Sequence, residues 1–274
     1  MSVNRIQALD NPRVADFRVV SDPELMRARG LFVAEGQLAV ARLLTSRFHV
    51  RALLLTESAY DRLEVALADA DDDVEVLLTD SAQLRELTGF RFHRGCLGLG
   101  ERPTATIVPA LVPNARQPVV ALDSVSDPDN VGSIFRSAAA FDAAGVILSP
   151  TCVDPLYRKA IRTSMGTTLQ LPFAVQTEWS ATLAQLRNGG ARVVAFTPDA
   201  SATELETFVS GGDAKPLVLL FGSEGDGLSR DALVYCDESV RIAINDSVDS
   251  LNVATAAAIV LQRVRATRPG SAVS

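Results

Sequence analysis

The 274-residue chain reads as an α/β protein of two domains. Short apolar runs alternate with stretches of helical period along its whole length, and one proline-rich stretch without periodicity, near residue 110, interrupts the alternation. With 47% hydrophobic residues the chain can fill two cores, and its length matches one or two domains of about 100–200 residues.

In the first domain, residues 1–101, apolar positions recur at helical spacing over 11–29. There Ser21-Asp22-Pro23-Glu24 has the form of a capping box with proline near the first helical position, so two short helices are expected. Strands follow at 31–34, 50–55, 74–78 and 96–99, and helices at 37–44, 58–68 and 81–87, which together make a small α/β sandwich. Just before the last strand stands Gly89-Phe90-Arg91-Phe92-His93-Arg94-Gly95. Arg91, His93 and Arg94 beside two phenylalanines put donors and aromatic faces together, a combination that can hold phosphates and stacked bases of RNA. The plainer alternative makes the phenylalanines core residues and the cations a solvated loop. Residues 102–117, with Pro103, Pro109 and Pro113, are expected to be a semi-extended linker.

The second domain, residues 118–274, places strands at 119–123, 145–148, 171–175, 193–197, 217–221 and 240–244. Helices are expected over 130–141, 156–164 and, from a cap at Ser250, to about residue 265. Sustained β–α alternation predicts a parallel sheet covered on both faces, with ligands at the carboxyl ends of its strands.

Composition removes several function classes. No apolar stretch reaches the ~20 residues of a membrane span, and charges are scattered through the first 30 residues. A soluble, cytoplasmic protein is therefore expected. Cys96, Cys152 and Cys236 form no CxxC pair and only His49 and His93 are available, so neither a disulfide framework nor a metal site is expected. The formal net charge is -7, yet 24 of the 26 basic residues are arginines, and the arginine fork suits phosphate and base edges.

Three constellations carry the chemistry. The first is Ser124-Val125-Ser126-Asp127-Pro128-Asp129-Asn130-Val131-Gly132-Ser133-Ile134-Phe135-Arg136, in which Asn130 closes a turn after a strand and Arg136 follows nearly two helical turns on. Read alone, it is equally an N-cap and a solvated helix charge. The second is Gly222-Ser223-Glu224-Gly225-Asp226-Gly227, a flexible turn at the end of a buried strand. It matches neither GxGxxG nor a P-loop, so a dinucleotide-linked oxidoreductase lacks its fingerprint. The third runs from Arg241 through Ser250 and Asn252 into an apolar helix, whose first free N–H groups and the glycine turn would together form a pocket.

In order, spacing and glycine pattern these three stretches resemble the SpoU/TrmH family of RNA ribose 2′-O-methyltransferases, within the SPOUT superfamily, over roughly residues 119–265. The resemblance implies a C-terminal methyltransferase domain whose parallel sheet is tied in a deep trefoil knot. It implies S-adenosyl-L-methionine as cofactor, contacted by Gly222, Ile242 and Leu251, with Thr197 near the adenine. It also implies a homodimer whose active site is completed across a two-fold axis. Arg136 takes the central catalytic role, as base or as phosphate clamp; a guanidinium does not readily give up its proton, which favours the clamp. Asn130 would orient the arginine or the ribose, Glu224 would fix the glycine turn, and Ser250 and Asn252 would complete the wall. The first domain resembles the α/β substrate-binding domain often joined to this family, through Phe32-Val33-Ala34-Glu35-Gly36 and Arg94-Gly95-Cys96-Leu97-Gly98. That favours ribosomal over transfer RNA as substrate. A non-catalytic RNA- or nucleotide-binding protein of the same fold is the competing class.

Overall fold

The computed structural model describes residues 1–6, 8, 10–88, 95–103, 114, 116–211 and 215–267. Most of the expected linker and the trio Arg91, His93 and Arg94 lie outside the described residues. The first part of the chain carries β1 (Ser2–Arg5), a 3-10 helix (Pro12–Val19), α1 (Pro23–Ala28), β2 (Leu31–Glu35), α2 (Gln37–Leu44), β3 (Val50–Leu55), α3 (Glu57–Arg62), α4 (Glu64–Ala68), β4 (Glu75–Leu78), α5 (Ser81–Thr88) and β5 (Cys96–Glu101). Next come β6 (Val119–Leu122), α6 (Pro128–Ala140), β7 (Gly145–Leu148), α7 (Arg158–Thr163), α8 (Thr167–Gln170), β8 (Phe173–Val175), α9 (Trp179–Asn188) and β9 (Arg192–Phe196). The chain ends with β10 (Thr203–Glu204), α10 (Leu205–Ser210), β11 (Leu217–Phe221), α11 (Arg230–Leu233), β12 (Glu238–Arg241) and α12 (Val253–Thr267).

Two compact units result, one of Met1–Ile107 with Asp154–Gln170, the other of Val108–Val153 with Leu171–Ser274. The segment holding α7 and α8, expected in the second domain, thus packs within the first unit. Its ends and middle are tied there. Arg102 pairs with Asp154 at 2.7 Å, Arg42 donates to the Met165 carbonyl at 2.8 Å, and Gln170 donates to the Thr45 hydroxyl at 3.4 Å. Gly166, at φ +89°, leaves a Cβ only 3.1 Å from the Ala39 Cα, so this seat on α2 demands glycine.

The first unit is a mixed sheet in the order β1-β4-β3-β5-β2, with β5 antiparallel to both its neighbours. Phe17, Leu31, Leu54, Leu77 and Leu84 fill its core. β1 was not expected, because Ser2-Val3-Asn4-Arg5 has no apolar pattern of its own and is strand only by pairing with β4. Asp22, not Ser21, caps α1, accepting from the Leu25 N–H at 2.9 Å. The single helix expected over 58–68 is two, broken at Leu63.

The second unit is an all-parallel sheet in the order β10-β12-β9-β11-β6-β7-β8. Alternate residues of one strand face opposite layers. Val120, Leu122, Val194, Leu219 and Phe221 join α6, α10 and α12 in one core. Val119, Ala121, Val193, Val218 and Leu220 join α9 and α11 in the other. The apolar α12 therefore has its partners within the unit, with Val253, Ala257, Val260, Leu261 and Val264 buried. The strand expected at 240–244 is Glu238–Arg241. Its neighbour β9 ends at Phe196, the register partner of Val240, so Ile242 and Ile244 leave the sheet. No helix among the described residues is long and apolar enough to cross a membrane.

Candidate functional site

The carboxyl ends of β9, β11 and β12 open onto one cavity, of about 340 Å³. β11 is buried at every residue and runs into Gly222. The turn beyond closes on itself: the Ser223 N–H donates to the Gly227 carbonyl at 2.9 Å, and Gly227 takes a φ of +68°. A Cβ on Gly222 would meet the Gly227 carbonyl carbon at 2.2 Å and the Leu228 nitrogen at 2.4 Å. The backbone that requires glycine here is the turn's own return through Gly227 and Leu228. Asp123, 2% exposed at the end of β6, accepts from the Ser229 N–H at 2.8 Å and so fixes where the turn leaves. Sequence reasoning passed over Asp123. Its signal was a carboxylate ending the all-apolar run 119–122.

The two helix starts differ from expectation in a way that matters for the site. Asp127 caps α6, accepting from the Asp129 N–H at 2.7 Å with Pro128 behind it, so Asn130 sits inside the first turn and is 9% exposed. At α12 the cap is Asn252, not Ser250: its Oδ1 accepts from the N–H groups of Ala254 at 2.9 Å and Thr255 at 3.3 Å. Ser250 is exposed in the irregular approach, too far upstream to reach the first N–H groups of a helix beginning at Val253.

These caps set up a directed chain of side chains. With its oxygen committed to α12, Asn252 has only its Nδ2 left to donate, and it does so to the Asn130 Oδ1 at 2.9 Å. Asn130 in turn donates through Nδ2 to the Glu224 carboxylate. Each amide's orientation is imposed by the one before it, and the chain ends on an acceptor. One residue from each constellation takes part.

The cavity is lined by Phe196, Thr197, Gly222, Glu224, Ile242, Ile244, Ser250, Leu251 and Asn252, among others. The four residues expected at a cofactor are all in its wall, as are three of those expected in catalysis. Phe196 and Ile244 were not singled out from sequence. The Phe196 ring stacks on Phe221 with centroids 4.9 Å apart, and makes an aromatic floor across β9 and β11. Asn130 reaches the cavity through Glu224 and Asn252. Arg136 does not line it. Six residues turn a helix by about 600°, or 240° net, so Arg136 lies on another side of α6 from Asn130 and is exposed. Among the described residues no three His, Cys, Asp or Glu side chains form a candidate metal cluster.

The chain matches the SpoU rRNA Methylase family over residues 117–262. A protein of Mycobacterium tuberculosis described as an uncharacterized tRNA/rRNA methyltransferase is 38% identical over 254 residues, 91% of this chain and 87% of the relative. Among solved structures, the AdoMet-bound rRNA methyltransferase of Sinorhizobium meliloti superposes with a TM-score of 0.80 at 27% identity, covering 96% of this chain and 98% of that one. An RNA 2′-O ribose methyltransferase superposes with a TM-score of 0.78 at 25% identity, over 96% and 99% of the two chains.

Proposed function

The chain belongs to the SpoU rRNA Methylase family, and from that premise we propose that it methylates a ribose 2′-hydroxyl of structured RNA, ribosomal rather than transfer RNA, in the cytoplasm. Its cofactor is S-adenosyl-L-methionine. The cavity suits that molecule: about 340 Å³ lies in the range of small-molecule pockets, about 300–1,000 Å³. Apolar walls at Phe196, Ile242, Ile244 and Leu251 suit a purine, and the glycine turn supplies a polar rim. In this reading Gly222, Ile242 and Leu251 hold the cofactor through backbone atoms and Thr197 lies beside the adenine. When bound, the cofactor supplies an electrophilic methyl on a sulfonium.

The protein's own task is positioning and proton handling, because a ribose hydroxyl is a weak nucleophile. Asn130, oriented by Asn252, and Glu224 present an ordered edge toward the ribose, with Ser250 completing the wall. Arg136 clamps the adjoining RNA phosphate, whose oxygen would take the hydroxyl proton as the ribose oxygen bonds the methyl carbon and the methyl carbon–sulfur bond of the sulfonium breaks, the sulfur leaving as a neutral thioether. Since Arg136 is outside its own chain's cavity, it serves the cavity of a second copy, and the active enzyme is a homodimer. No metal ion enters the reaction. A deep trefoil knot ties the second domain, residues 118–274, and residues 1–101 bind substrate, with Arg91, His93 and Arg94 contacting RNA.

The observation that carries this reading is the Asn252–Asn130–Glu224 chain at the cavity wall. The test is transfer of tritiated methyl to ribosomal RNA and, in parallel, to transfer RNA, followed by alkaline hydrolysis. A 2′-O-methyl blocks cleavage at its own position, so label is expected in alkali-resistant dinucleotides. Label on mononucleotides would place the methyl on a base and overturn the ribose assignment.

A further inference from the structure

We propose that Glu224 makes the cavity select the methyl donor over its demethylated product, S-adenosyl-L-homocysteine, by charge, so that the site loosens its hold once the methyl has gone. The inference rests on the reading that the methyl is transferred at the Asn130–Glu224 edge, and adds to it a specificity-determining role for a single carboxylate. Among the described residues lining the cavity, Glu224 is the one ionisable side chain; the others are apolar residues, glycines and the uncharged Thr197, Ser223, Ser250 and Asn252. The hydrogen bond that Glu224 accepts comes from the Asn130 amide, which carries no charge. The wall holds no cation to neutralise it. Arg241, between Val240 and Ile242 in sequence, is engaged elsewhere, donating to Glu204 of β10 at 2.7 Å.

A site with one negative side chain and no positive one separates ligands by their charge. The methyl donor is a net cation, a sulfonium and an ammonium against one carboxylate. As the ribose oxygen bonds the methyl carbon, the carbon–sulfur bond breaks with its electron pair left on sulfur. The product keeps the ammonium and the carboxylate and loses the sulfonium charge, so the two ligands differ by one methyl and one unit of charge. The charge that changes is the one that Glu224 faces. Asn130 and Glu224 border the ribose, whose oxygen reacts from about 3–3.5 Å with a methyl carried on that sulfur. Opposite unit charges about 4 Å apart attract by about 1 kcal/mol in bulk water, a factor of about five in affinity, and by more beside apolar walls. Glu224 is exposed, which keeps the effect near the solvated end of that range. A product held less tightly than the donor leaves faster, and product release sets the turnover of many enzymes.

The experiment is calorimetric titration of the full-length protein, wild type and Glu224→Gln, with S-adenosyl-L-methionine, S-adenosyl-L-homocysteine and sinefungin, in which an ammonium group replaces the sulfonium. Glutamine keeps the length of the side chain and an oxygen to accept from Asn130, removes the charge, and stands on an exposed turn where it costs no core packing. Affinity for the donor is expected to fall about five- to tenfold and affinity for the product by no more than about twofold, so that the donor-to-product ratio shrinks. Sinefungin should weaken as the donor does, because it shares the charge and has no methyl to transfer. Glu224→Asp keeps the charge and should keep most of the ratio; a ratio as low as that of the glutamine variant would assign the selectivity to side-chain length and overturn the proposal. An unchanged ratio in Glu224→Gln would overturn it too, and methyl transfer to the 2′-hydroxyl by the wild type would leave the enzymatic reading standing. A wild type that bound neither donor nor product would overturn both.

Discussion

Asn252 carries two duties on one amide, capping α12 through oxygen and orienting Asn130 through nitrogen, and substitution can separate them. Asn252→Asp keeps an acceptor for the cap but sets a second acceptor against the Asn130 Oδ1. It is expected to keep α12 capped and to lose at least tenfold in single-turnover methyl transfer. Asn252→Ala should lose the cap as well, about 1 kcal/mol of stability. Equal activity in wild type and Asn252→Asp would remove the orienting role. At Gly222 the clash lies with Gly227 and Leu228, so Gly222→Val should abolish cofactor binding by opening the turn. Calorimetry showing wild-type cofactor affinity in that variant would contradict the placement. Asn130, Glu224 and Asn252 were legible in sequence because polar residues and glycine at the junctions of apolar runs are conspicuous. Asp123 and Phe196 were not, since a buried carboxylate looks like any turn aspartate and a lining phenylalanine like any core one.

Elements were read well where the local pattern and the tertiary partner agree. Val119–Leu122, Gly145–Leu148 and Leu217–Phe221 are apolar runs buried on both faces, and each formed as expected. Elements that depend on a distant partner were misjudged: β1 exists through β4, β12 stops where β9 stops, and α7 and α8 belong with α2 and β2. At this scale His49 gives a pH-dependent effect. It bridges the ends of β3 and β5 and the loop before β4, 2.8 Å from Asp73 and 3.3 Å from Glu101. The hydrogen bond to Asp73, with the Glu101 charge beside it, raises the imidazole pKa. A raised folded-state value means that the stabilisation is full below the unfolded pKa of about 6.5 and fades as pH rises through the folded value. Wild type should therefore melt above His49→Gln by a margin that shrinks from about pH 5.5 to about pH 8.5. A margin that grew with pH would mean that His49 is held neutral.

For the whole molecule, the proposed dimer follows from the resemblance and from the exposed Arg136, not from α12, whose apolar residues are covered within the unit. Sedimentation at micromolar concentration should give twice the 29.2 kDa of one chain; a fully active monomer would remove the completed-in-trans site. The central claim is that Arg136 stabilises the transition state without supporting either the core or the cavity. Single-turnover transfer of labelled methyl to ribosomal RNA by Arg136→Ala, with S-adenosyl-L-methionine affinity measured on the same sample, tests it most directly. The predicted result is a rate lower by about two to four orders of magnitude, as for other preorganised oxyanion stabilisers, with cofactor affinity unchanged; transfer at the wild-type rate would contradict it.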